Sequence, residues 1–68
     1  MKLYRLLTGP DDASFCHKVS AAIDKGWDLH GSPSYAFDPV SNGMRCGQAV
    51  VKEIYGQSYD PSMKLGDH

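Results

Sequence analysis

The sequence has no long apolar run: no stretch of hydrophobic residues exceeds three, as in Ala21 to Ile23, Tyr35 to Phe37 and Ala49 to Val51. A membrane helix needs about twenty and a signal-peptide core about 7 to 15, so neither is expected and a cytosolic location is. Cysteine is scarce. Cys16 and Cys46 form no C-x-x-C pair, and a small secreted scaffold normally carries about four or more. Both are expected to stay reduced and to behave as small buried hydrophobes, Cys16 in a helix and Cys46 in a strand.

An excess of one charge is missing too: 7 Lys+Arg against 8 Asp+Glu leave a formal −1. The basic residues Lys2, Arg5, Lys18, Lys25, Arg45, Lys52 and Lys64 form no run. Binding to nucleic acid by counterion release has no footprint here, and no such partner is expected. Glycine-rich phosphate loops are absent, and where Gly9-Pro10 leads into a helix, Asp11 and Asp12 would repel a phosphate. Cys16 and His17 point about 100° apart on a helix. With His30 and Cys46 they match no zinc spacing, so no metal and no other cofactor is expected. Nothing places a base beside a cysteine nucleophile. No catalytic residue is assigned, and the reading is of a protein that is not an enzyme.

What is present is a folded chain of 68 residues, 41% of them hydrophobic. So short a domain hides only about 60% of its unfolded surface, which leaves it marginal unless a partner helps. Lys2 to Thr8 (KLYRLLT) reads as a strand apolar on both sides, stopped by Gly9-Pro10. Asp11 and Asp12 suit the positive start of a helix. Phe15, Val19, Ala22 and Ile23 then fall at i, i+4, i+7 and i+8, which predicts an amphipathic helix over 13–25, capped by Gly26.

From Trp27 to Asp38, Trp27, Leu29, Tyr35 and Phe37 share one parity, the mark of a half-buried strand. Pro33 makes it an edge strand, bent or bulged around Gly31 to Pro33. Asn42-Gly43 suits a hairpin turn. Met44 to Tyr55 is apolar on both parities through Ala49-Val50-Val51, as a central strand would be. Residues 1–55 therefore form one domain, and 56–68 a polar tail, loose unless it docks through Tyr59, Met63 or Leu65.

The fold class expected is α+β: strand, helix, strand, strand, with one helix on a three-stranded mainly antiparallel sheet in the order 2-3-1. The helix is expected to pack through Phe15, Val19, Ala22 and Ile23 on Tyr4, Leu6, Trp27, Leu29 and Val51. That arrangement would leave Leu3, Leu7, Cys46 and Val50 as an open interface around Arg5, His30 and Gln48, which could converge as a small-ligand site. Trp27 would plug the end of the core where helix meets sheet.

The string TGPDDASFCHKVSAAIDKGWDLHGSPSYAFD, followed by GQAVVKE, resembles a family of short bacterial proteins catalogued as domain of unknown function 1737. The resemblance is carried by Thr8-Gly9, Lys25-Gly26-Trp27, Gly31-Ser32-Pro33 and Gln48-Ala49-Val50-Val51-Lys52, over roughly residues 2–54. It implies a stand-alone α+β domain and carries no activity or site residue. The leading functional expectation is a small module that forms a homo-oligomer, most simply a dimer, and binds a partner protein. The alternative is a binder of a small ligand or planar cofactor at an oligomer interface. The element order also resembles that of dodecin-type flavin carriers, an analogy of fold alone.

Overall fold

The computed structural model describes residues 1–68. Strand β1 (Lys2–Pro10), helix α1 (Ala13–Asp24), strand β2 (Asp28–Asp38) and strand β3 (Gly43–Glu53) follow in that order, and a short 3-10 turn spans Leu65–Asp67. The sheet is ordered β1-β3-β2, with β1 and β2 both antiparallel to the central β3. The strand-helix-strand-strand α+β architecture implied by the sequence pattern is the one observed.

The chemistry of the helix ends sets where α1 lies. Asp12 is extended (φ −152°) and its carboxylate accepts the Ser14 N–H at 2.8 Å. The Ser14 hydroxyl and then its N–H hold the Asp12 carboxyl below the usual carboxylate range, as expected of an acceptor at the positive helix end. At the other end, Trp27 N–H bonds Ala22 O at 3.1 Å and Gly26 N–H bonds Ile23 O at 2.9 Å. Gly26 takes φ 98°, and the pair of bonds is a Schellman motif, which folds the residue after the glycine back onto the last turn. That residue is Trp27, and it is buried together with Ala22.

Directly opposed residues of an antiparallel pair share a face. Leu3 opposes Lys52, Arg5 opposes Val50 and Leu7 opposes Gln48, while Leu29 opposes Val50 and Tyr35 opposes Cys46. One face thus holds Leu3, Leu7, Val50 and Leu29; the other holds Tyr4, Leu6, Ala49 and Val51. α1 covers the first. Leu3, Leu7, Ala22, Trp27 and Val50 make the buried core, with Phe15 and Val19 packed against it.

This corrects the expected packing on Tyr4, Leu6 and Val51. β1 and β3 are apolar on both parities, so either face could have served. The Schellman motif fixes Trp27, and Trp27 with Leu29 selects the Leu3, Leu7 and Val50 side. Ile23, expected in the buried stripe, is exposed, because α1 packs mainly on β1 and less on β3.

β2 shifts register between His30 and Ser34, where Gly31 takes φ 73° and Pro33 lacks an N–H. The bulge keeps parity, so Leu29 and Tyr35 stay on one face. Buried Gln48 fills the notch: its Nε2 donates to the carbonyls of Ala49 at 2.9 Å, Gly31 at 3.3 Å and His30 at 3.4 Å. The hairpin turns through Asn42 at φ 54°. There the Asp38 carboxylate accepts the Val40 N–H and the Ser41 hydroxyl, each at 3.0 Å.

Residues 56–68 return to the helix-bearing face. Met63 and Leu65 pack against the core, and Lys25 Nζ donates to Gly66 O at 2.9 Å. Tyr59 stays exposed. No helix is long and apolar enough to cross a membrane.

Candidate functional site

The structure separates the residues that sequence reasoning grouped. Arg5 and Gln48 lie on the helix-bearing face, whereas His30 opposes Ala49 and is exposed on the other. Arg5 places its guanidinium 5.2 Å from the Trp27 ring centroid, and Lys52 Nζ stands 5.9 Å from the same ring. Arg5 is spent on the ring's negative face, Lys52 Nζ also donates to the carbonyls of Lys25, at 2.7 Å, and of His68, and Gln48 is spent on the β2 bulge. Leu3, Leu7 and Val50 are core residues rather than interface. Cys46 is half-buried on the helix-bearing face, where desolvation and then the Asp11 charge push its thiol pKa up. Cys16 is exposed, not buried as expected, because it sits beside the packed stripe of α1 rather than within it.

The bare side of the sheet carries large apolar side chains in the open. Tyr4 and Leu6 stand 56% and 57% exposed in the middle of it, flanked by half-buried Ala49 and Val51. Along this face Lys2 opposes Glu53, Tyr4 opposes Val51, and Leu6 opposes Ala49, which in turn opposes His30. The centre is apolar, and the charges of Lys2, Glu53, Asp28 and Arg45 lie at its ends and border. The face continues without a step into the free edge of β1, whose only neighbour is β3.

A second feature lies on the helix side. Because α1 sits over β1 and β3, β2 is left uncovered, and Leu29, Tyr35 and Phe37 are each more than half exposed. A groove of about 270 Å³ runs between α1 and β2, lined by Phe15, Cys16, Val19, Ser20, Leu29 and Gln48. Past its end the Tyr35 hydroxyl donates to the Asp11 carboxylate, a bond that raises the tyrosine pKa and ties the β2 edge to the start of α1. No group of three His, Cys, Asp or Glu side chains is placed to hold a metal ion.

A family model described as a domain of unknown function (DUF1737) matches residues 1–53. The chain belongs to this family. The match ends with β3, so it covers the whole strand-helix-strand-strand unit and stops before the tail that brings Met63 and Leu65 to the core. No curated protein and no solved structure matches the chain.

Sequence reasoning missed Tyr4, Leu6, Ala49 and Val51 as the exposed surface. A signal was present in the hairpin. Asn42-Gly43 closes a turn in which Asp38 opposes Gly43, so even positions of β2 oppose odd positions of β3. The odd-numbered Trp27, Leu29 and Tyr35 must then share a face with the even-numbered Val50, Gln48 and Cys46, leaving Val51 and Ala49 on the reverse.

Proposed function

We propose that the protein is a small cytoplasmic, non-enzymatic module that self-associates, as a dimer, through the bare side of its sheet or through a strand edge that borders it, and presents apolar surface to a partner protein. One observation carries this reading: Tyr4 and Leu6, two large side chains at the centre of a sheet face, are more than half exposed in the single chain. Contiguous apolar surface of that kind marks a contact site in a small protein, and a second copy is the partner always at hand.

The groove between α1 and β2 favours a second reading, a binder of a small planar ligand. Its walls are largely apolar, and Ser20 places a hydroxyl among them.

Light scattering on a sizing column, with the absorption spectrum recorded across the peak, tests both. The expected result is a dimer mass for the native chain and a monomer mass for Leu6→Lys, whose side chain is exposed and whose replacement leaves the core intact. A native monomer at about 100 µM, a concentration at which interfaces of ordinary affinity are formed, would end the self-association reading. A chromophore travelling with the peak would favour the ligand reading instead.

A further inference from the structure

The geometry points to an antiparallel pairing of β1 with β1 of a second copy, about a two-fold axis at Tyr4, as the contact that joins two copies. This inference rests on the self-association proposed above and specifies where and in what register it occurs.

The phase of the β1–β3 ladder is fixed at both ends. Met1 N–H and Met1 O both bond Ile54, and Asp11 N–H bonds Met44 O at 3.2 Å. In an antiparallel ladder alternate pairs exchange both bonds, so Leu3, Arg5 and Leu7 spend their N–H and C=O groups on β3. The even-numbered residues Lys2, Tyr4, Leu6 and Thr8 point theirs outward. Of these, Thr8 O already accepts Lys18 Nζ at 2.7 Å. Lys2, Tyr4 and Leu6 have no backbone partner within the chain.

An unpaired, regular and apolar edge is a template for another strand. The opposite edge, β2, is defended by its bulge and by Pro33. β1 has no bulge, and its one proline, Pro10, lies at its last residue. Beside it runs an open groove of about 490 Å³, bordered by Tyr4, Leu6 and Thr8 of the strand, by Lys18 of α1 and by Leu65 of the tail.

The register follows from which groups are free and which side chains would meet. With the axis at Tyr4, Tyr4 faces Tyr4 of the second copy and Lys2 faces its Leu6, so every free N–H and C=O of Lys2, Tyr4 and Leu6 finds a partner and Thr8 is not needed. On the helix-bearing side Arg5 then faces Leu3. Moving the axis to Arg5 would oppose two guanidiniums, which is unfavourable, and would call on the occupied Thr8 carbonyl. Moving it to Leu6 would call on Thr8 again and on Pro10, which has no N–H to give.

Pairing at Tyr4 stacks the two tyrosine rings on the bare face and lays each Lys2 stem along a Leu6. The two sheets become one, and the two bare faces join into a single platform. A second copy is favoured over a foreign peptide because the segment is self-complementary about Tyr4 in hydrogen bonding, and in that register each of its cations, Lys2 and Arg5, faces a leucine rather than a like charge.

Residue-resolved amide hydrogen exchange of the native chain, run dilute and concentrated beside light scattering, tests the inference. In the paired dimer the Tyr4 and Leu6 amides slow by about 100-fold or more on concentration, as hydrogen-bonded strand amides do, and join Leu3, Arg5 and Leu7 in protection. A dimer mass with Tyr4 and Leu6 still exchanging fast overturns the edge pairing while leaving association through the faces standing. A monomer mass at both concentrations overturns the self-association reading with it. Protection of Thr8 N–H alongside Tyr4 and Leu6 would place the axis elsewhere and overturn the register.

Discussion

Trp27→Ala is expected to leave the chain largely unfolded at 25 °C. Trp27 is 1% exposed and is the largest fully buried side chain. Trp-to-Ala truncations in cores cost about 3–5 kcal/mol, while a domain of this length has a total of roughly 3–10 kcal/mol at 0.05–0.15 kcal/mol per residue. Arg5 and Lys52 would also lose the ring they share and be left as neighbouring cations. Trp27→Phe separates volume from polarity. The indole Nε1 is buried without a hydrogen-bond partner, a cost of about 1–3 kcal/mol in its own right. Phenylalanine removes that cost and keeps a ring for the two cations, so this variant is expected to fold with a Tm near that of the native chain. Far-UV circular dichroism melts of both variants check the pair; a Trp27→Ala melt within a few degrees of native would contradict the placement of Trp27 as the keystone of the core.

The tail supplies the second large effect. Met63 and Leu65 are half-buried against the core from outside the matched family region. Replacing both with serine, Met63→Ser with Leu65→Ser, should lower Tm by more than about 10 °C, since even a partial loss of two apolar plugs is worth about 2–4 kcal/mol and each kcal/mol shifts a domain this small by about 4–8 °C. A double variant with an unchanged melt would show the tail to be dispensable to the core.

Much of the fold was legible because local chemistry agreed with global need. Asp12, the Phe15–Val19–Ala22 spacing and Gly26 bracket α1, and Gly31 to Pro33 announced the β2 bulge. Trp27 and Leu29 were placed on the correct face because β2 has polar residues on its other parity. Sidedness failed at β1 and β3. Leu3 and Leu7 against Tyr4 and Leu6, and Val50 against Val51, are nearly balanced in hydrophobicity, so alternation alone does not choose between them. What chooses is long-range: the Schellman motif aims Trp27, and the hairpin register ties it to Val50. The candidate site of Arg5, His30 and Gln48 inherited that inversion, since two of its members moved under the helix and the tail while His30 stayed on the bare side. Met63 and Leu65 were picked out with Tyr59 as the residues through which the tail would dock, but where they dock was not legible, since they lie in a stretch with no periodicity to aim them.

The most direct test of the account is one pair of neighbours, Leu6→Lys and Leu7→Lys, compared by circular dichroism and thermal melting. Leu7 is 4% exposed beneath α1 and Leu6 is 57% exposed on the bare face, and a buried lysine without a counter-charge is among the costliest of single changes. Leu7→Lys should give a spectrum of unfolded chain at 25 °C, and Leu6→Lys a native spectrum with a cooperative melt. A folded Leu7→Lys beside an unfolded Leu6→Lys would mean that the helix covers the opposite face of the sheet, and the account would be wrong at its root.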